Sequence, residues 1–251
     1  MSYIDLSEFD PKLITCETTH VRPKAGEKTG KTFINLSYGP TKRALAFLTP
    51  PIVIDWPYLS GDGNYGTKYG PPDVDKAQYT CGITDKAPPG AQAPTRYFEA
   101  MRAIDEALVA HVHANQKELL GSRDESLDFV RAKMNASIKP KYDGDVLAYH
   151  RHNLATRKYD WKGNERTLNI VDASRRELAT RICHEDVCMV ATQLDCVYTG
   201  LSGMFGAKWN VVEVMLLARA KKSEPTAFGG TDTWASVPIP SWAEDQNQPA
   251  W

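Results

Sequence analysis

YFEAMRAIDEALVAHVHANQKELLG, residues 97–121, is the stretch that decides the fold. Tyr97, Met101, Ile104, Leu108 and Val112 fall three or four apart, the spacing that lines apolar side chains along one face of an α-helix. The helix follows a Pro-rich hinge (Pro88, Pro89, Pro94) and ends near Gly121. On either side of it the apolar residues are arranged as in strands. Upstream, FINLSY at 33–38 alternates and stops at Gly39-Pro40. Residues 44–49 and 52–54 are expected to form its hairpin partner, interrupted at Pro50 and Pro51, and a third strand is expected at 77–84. Downstream, Ser122 with Glu125 fits a capping box for a second helix carrying Leu127, Phe129 and Val130 toward the core. Strand-like pieces follow at 146–150 and 167–171. The two strongest strands, 187–198 and 209–218, flank a loop with Gly200, Gly203 and Gly206 and read as the centre of a sheet.

This order predicts a β-rich α+β fold: an OB-like Greek-key barrel or a partly open antiparallel sheet, with a helical insertion at 95–135 between strands three and four. Residues 1–31, polar and punctuated by Pro11, Pro23, Gly26 and Gly30, read as an N-terminal arm with at most one short strand near 13–18. Residues 32–222 form the expected domain. Residues 223–251 read as an extended, weakly acidic tail with Trp234, Trp242 and Trp251 spaced along it.

The chain of 251 residues is 42% hydrophobic, enough for a substantial core. Its formal charge of −1 hides an asymmetry. The tail carries Glu224, Asp232, Glu244 and Asp245 and no Lys or Arg, so removing those four negative charges leaves +3 on residues 1–222. That balance argues against a histone-like duplex coater but not against a groove with locally concentrated charge. The five cysteines (Cys16, Cys81, Cys183, Cys188, Cys196) are scattered without a CxxC pair and read as reduced thiols in an intracellular, reducing compartment. MSYIDLSEF has neither a basic nor an apolar leader segment, and no stretch reaches the length of a spanning helix, so neither secretion nor membrane insertion is expected.

Function points to residues 131–166. Arg131, Lys133, Lys139, Lys141, Arg151, Arg157, Lys158, Lys162 and Arg166 outnumber Asp143, Asp145, Asp160 and Glu165, with Tyr142, Tyr149, Tyr159 and Trp161 between them. Cations neutralise phosphates and aromatic faces accept unpaired bases, so the mixture suits a single-stranded polynucleotide. Solvated loops share this composition, and that bland alternative stands beside it. A second aromatic cluster, Trp56, Tyr58, Tyr65, Lys68 and Tyr69, lies in a Gly-rich loop where core packing is least able to explain rings. The two clusters would be the walls of the binding site.

Other motifs carry less. AGEKTGKT at 25–32 matches a relaxed P-loop, and PIVIDW at 51–56 imitates the strand that ends in a metal-binding Asp55. A P-loop needs a helix opening directly after Lys31, and FINLSY reads as a strand. The histidines His111, His113, His150 and His152, and the group Cys183, His184, Asp186 and Cys188, lack convincing metal-ligand context. No catalytic residue and no cofactor are expected. A P-loop nucleotidase using Lys31 and a virion structural or scaffolding protein remain the alternatives.

FINLSY, the run ALAFLTPPIVIDW, the helix, SIKPKYDG at 137–144 and GAKWNVVEVML at 206–216 together resemble, in their order, the single-stranded-DNA-binding proteins of large nucleocytoplasmic DNA viruses, with a looser likeness to phage counterparts. The resemblance spans most of residues 30–220. It implies an OB-like core that coats single strands in viral replication, recombination or repair, without sequence preference or catalysis, at a replication site in the host cytoplasm or nucleus. By that similarity Lys139, Lys141, Tyr142 and Trp56 are binding residues. Replication proteins recruited through the tail, RNA as a second ligand and a homo-oligomer are further partners it leaves open. So is a tail that covers a sheet edge or competes for the groove.

Overall fold

The computed structural model describes residues 3–21, 31–58, 78–88, 90–121, 124–144, 146–157, 169–177, 182, 185–199 and 203–219. Five strands precede the helices: β1 (Ile14–Val21), β2 (Lys31–Tyr38), β3 (Ala46–Leu48), β4 (Ile52–Tyr58) and β5 (Gln78–Thr84). Helices α1 (Thr95–Ala114), α2 (Gln116–Leu119) and α3 (Leu127–Ala132) follow. The chain then returns to strands with β6 (Ile138–Asp143), β7 (Val146–Arg157), β8 (Asn169–Val171), β9 (Val187–Thr199) and β10 (Phe205–Ala218). The main sheet runs β6-β7-β5-β4-β9-β10-β8, with β3 also paired to β9. Every pairing is antiparallel except β10 with β8.

The sheet is curled. β7 and β10 share no ladder, yet His152 on β7 and Trp209 on β10 meet edge to face, with ring centroids 5.9 Å apart. The chain is thus β-rich α+β and OB-like, a partly open antiparallel sheet with a helical insertion. The insertion follows the fifth strand, because the N-terminal segment supplies β1 and the 46–58 run is broken into β3 and β4. That break has a local remedy. Prolines at 50 and 51 have no N–H to donate to β9. The backbone N–H of Thr49 donates to Val190 O (3.0 Å) while its side-chain Oγ1 accepts from Val190 N (2.9 Å), so a hydroxyl patches the ladder.

The long helix forms where its period places it. Tyr97, Met101, Ile104, Leu108 and Val112 are all buried against the sheet, each contributing on the order of 1.5–3 kcal/mol if it is a large apolar side chain. Pro94 at its N-cap makes no side-chain bond and its first turn has no acid, so packing rather than capping holds α1. Two polar residues go in with the apolar ones. Asp105 accepts from Ser137 N and Oγ, both at 2.7 Å, and Ser137 Oγ accepts from Trp209 Nε1 at 3.1 Å. Tyr97 Oη lies 2.9 Å from His152 Nδ1. Burial pushes the Asp105 carboxyl up to about 6 and the His152 imidazole down to about 3.

Three expectations are corrected. The partner of β2 is β1, in register Ile14↔Tyr38 to Val21↔Lys31, not the 44–49 segment. Leu45, Ala46 and Phe47 are consecutive and all buried, so β3 needs an interior neighbour and takes β9. The cap of α3 is Ser126, whose hydroxyl accepts from Phe129 N at 3.2 Å; Ser122 lies outside the described residues. On that short helix only Val130 is buried, while Leu127 and Phe129 are 40% and 41% exposed. The segment 1–31 also contributes core residues, Ile4 and Leu6, in addition to β1. Among the described residues no helix is long and apolar enough to cross a membrane.

Two predictions follow from this interior. A Cβ on Gly206 would lie 2.8 Å from Asn135 O and 2.9 Å from Tyr198 Oη, closer than backbone can allow, so Gly206→Ala is expected to lower stability by about 1–3 kcal/mol in chemical denaturation. The second concerns pH. Below about 6.5 the unfolded chain binds a proton that His152 refuses in the fold, so His152 lowers stability as pH falls toward 3. Asp105 keeps a proton that the unfolded chain releases above 3.8, so it lowers stability as pH rises toward 6. Between about pH 4 and 6 the two slopes oppose. Relative to the parent, Asp105→Asn should gain stability with rising pH and His152→Gln should lose it, each by up to about 1.4 kcal/mol per unit.

Candidate nucleic-acid interface

The β6–β7 hairpin builds the candidate site. Asp143 pairs with Val146, and the chain reverses through Gly144, whose φ of +62° suits a residue without a Cβ. Side chains on a strand alternate between faces, so the register assigns the faces here. Ile138 stands opposite His152, and both are buried. The next pair is Lys139 with Arg151, and beyond it Lys141 stands opposite Tyr149. Lys139 is exposed, while Lys141, Tyr149 and Arg151 are half-buried. A register shift after Lys141 leaves Tyr142 at the strand end with 57% of its surface exposed.

Lysines and a proline on the edge strand β6 discourage further pairing, and that alone would explain Lys139, Pro140 and Lys141. It does not explain Arg151. β7 is interior, between β6 and β5, and a like charge directly opposite Lys139 is unfavourable in a ladder. Nor does it explain Lys86, which the sequence did not single out. Lys86 reaches from the end of β5 to lie 4.2 Å from the Tyr149 ring centroid, and Lys141 lies 4.9 Å from the same ring. The residue before it is fixed: Asp85 Oδ1 accepts from His150 N (2.7 Å) and its Oδ2 lies 2.8 Å from His150 Nδ1. Two cations, Lys86 and Lys141, therefore meet at one tyrosine, with Lys139 and Arg151 paired at the neighbouring register position and Asp85 held by His150. Lys86 had no signature in the sequence, because only the pairing of Thr84 with Arg151 brings it beside Tyr149.

The remaining candidates separate. Trp56 and Tyr58 lie in β4, opposite Gly82 and Thr80, and Gly82 in turn stands opposite Asn153. Arg157 ends β7 opposite Gln78, at the far end from Tyr149. Tyr65, Lys68, Tyr69, Lys158, Tyr159, Trp161 and Lys162 lie outside the described residues. Two cations of the 131–166 stretch are engaged elsewhere: Arg131 with Glu106 and Asp128, and Lys133 over the Phe129 ring at 4.8 Å.

The alternatives fare differently. Lys31 opens β2, so no helix N-terminus follows the P-loop-like run. His111 bonds Thr18 and His113 meets Glu125 O, and among the described residues no group of three or more His, Cys, Asp or Glu is placed to hold a metal.

No protein-family profile matches the chain, and no curated protein does either. Among solved structures it is similar to gp2.5, a single-stranded DNA binding protein encoded by bacteriophage T7, at 15% identity, covering 72% of this chain and 96% of that one with a TM-score of 0.49. It is also similar to the single-stranded DNA-binding protein of bacteriophage Enc34, in complex with ssDNA (14% identity, 72% and 88% covered, TM-score 0.37) and alone (13%, 79% and 89%, 0.36). These are phage proteins; the family of large nucleocytoplasmic viruses that the motifs resemble is not matched. At such identities and scores the functional reading rests on the chain's own surface.

If Lys139 sits there for a ligand rather than for the fold, removing its charge costs no stability. Lys139→Gln is expected to hold or raise the thermal midpoint at low salt, by the equivalent of about 0.2–1 kcal/mol, with the gain fading as salt is added.

Proposed function

We propose that this chain is a non-catalytic protein that binds single-stranded DNA through phosphate contacts and base stacking, without sequence preference, in viral replication, recombination or repair. The observation that carries the reading is the row in which Lys139 faces Arg151 and Lys86 and Lys141 flank Tyr149. Like charges held side by side on a surface are relieved by a polyanion. The exposed Tyr142 beside them offers a face to an unpaired base, which a duplex does not present. Lys139, Lys141, Tyr142, Arg151 and Lys86 form the centre of the proposed interface. Trp56, Tyr58 and Arg157 extend it along the sheet, and Tyr65, Lys68, Tyr69, Lys158, Tyr159, Trp161 and Lys162 belong to its proposed walls.

Fluorescence anisotropy of a labelled oligo-dT tests this, with a duplex and an oligo-U of equal length beside it. Affinity for the single strand should exceed that for the duplex and fall with salt. Lys139→Gln combined with Lys141→Gln should weaken binding and flatten the log–log salt slope by about 1.4, two contacts at about 0.7 each. Failure to bind at low salt, or stronger binding to the duplex, overturns the proposal. Binding of Mg-ATP that Lys31→Ala abolishes would favour the nucleotidase instead.

A further inference from the structure

The two tyrosines of the hairpin are not equivalent. β7 lies between β6 and β5 in the sheet, so Lys141 approaches Tyr149 from one neighbouring strand and Lys86 from the other. An ammonium group is drawn to the negative face of an aromatic ring. The Lys86 and Lys141 nitrogens lie 4.2 and 4.9 Å from the Tyr149 centroid, so both ammonium groups are within cation–π range of the one ring. A base stacks with carbons about 3.5–4 Å apart, which is the space the ammonium groups hold. The ring also keeps two like charges apart while fixing each. Asp85 adds to this, since its two bonds to His150 anchor the backbone from which Lys86 projects.

We propose that Tyr149 is a positioning residue: it holds Lys86 and Lys141 as a two-armed phosphate clamp, and the stacking ring of this hairpin is Tyr142. This rests on the single-strand-binding reading above and assigns its parts. Lys86 becomes a binding residue, and Tyr149 contributes to affinity through the backbone of the nucleic acid rather than its bases. Ordering two long side chains in advance removes part of the entropy that phosphate binding otherwise costs.

An abasic oligonucleotide separates the two roles, because it keeps the phosphates and has nothing to stack. Binding of dT and abasic strands of equal length would be measured by anisotropy for the parent, Tyr149→Leu, Tyr142→Leu, and Tyr149→Leu in a Lys86→Met/Lys141→Met background. Tyr149→Leu should weaken both ligands by the same factor, about 5- to 30-fold if two exposed cation–π contacts are lost. Tyr142→Leu should weaken dT and leave the abasic strand unchanged. In the double-methionine background the Tyr149→Leu loss should vanish, which a merely structural role would not produce. Should Tyr149→Leu fail to fold, Lys86→Met alone still decides, since it must weaken dT and abasic strands equally and flatten the salt slope by about 0.7. A Tyr149→Leu loss that disappears on the abasic strand, or that persists in the methionine background, overturns the clamp while leaving single-strand binding intact. A parent protein that binds neither oligonucleotide at low salt overturns the underlying reading as well.

Discussion

The structure depends on two polar side chains of one helix being satisfied inside a sheet. Asp105 and Tyr97 stand on the buried stripe of α1, where an unpaired carboxyl or phenol would cost several kcal/mol on the order of magnitude of an unmet buried polar group. Asp105 finds Ser137 and, through its hydroxyl, the Trp209 indole. Tyr97 finds His152, and one tautomer extends the chain further. If His152 Nδ1–H donates to Tyr97 Oη, the tyrosine hydroxyl is free to donate to Thr192 Oγ1 at 3.5 Å, which in turn reaches Phe47 O at 3.4 Å. Every hydroxyl hydrogen in the chain then has an acceptor, and the atom left without a partner is a lone pair on His152 Nε2. The other tautomer leaves an N–H there. Hydrogen-bond accounting therefore favours Nδ1 as the protonated nitrogen, consistent with a buried imidazole that stays neutral.

These bonds also determine what the outside of the protein presents. A strand slipped by one residue inverts its faces. Fixing His152 beneath α1 and against Trp209 fixes the phase of β7, and so directs Tyr149 and Arg151 to the opposite face. Ser137, bonded to Asp105, does the same for β6: it sets Ile138 opposite His152 and therefore Lys139 opposite Arg151. The cationic row is thus placed from within. The helix packed on the buried face determines the register of the row on the other.

The sequence shows most clearly what is written locally. The period of α1, the alternation of FINLSY and the long apolar runs of β9 and β10 were legible because one chain segment contains the whole pattern. β6 was not, because Ile138 is the one deeply buried side chain among its described residues and Ile-Lys-Pro-Lys-Tyr-Asp carries no apolar alternation. The pairing of β1 with β2 was hidden for a similar reason, since Thr-rich β1 reads as polar. Leu127 and Phe129 were expected in the core because they are apolar, yet a six-residue helix can turn only a narrow face inward and Val130 occupies it. At the candidate site, Lys139, Lys141, Tyr142, Tyr149 and Arg151 were singled out by composition alone. Lys86 could not, because its neighbourhood exists only once β5 lies beside β7.

Under the proposed function, folding and polyanion binding at this face respond to salt in opposite directions. Screening weakens the repulsion between Lys139 and Arg151 and so relaxes a strain in the free fold. The same screening removes the gain from releasing counterions when a polyanion binds. A sheet stabilised mainly by its α1-facing interior can tolerate the repulsion, which amounts to about 0.2–1 kcal/mol for a cross-strand pair. An acid opposite Lys139 would convert that cost into a gain of similar size. The position instead holds Arg151, whose planar guanidinium presents the fork of N–H donors that matches a phosphate.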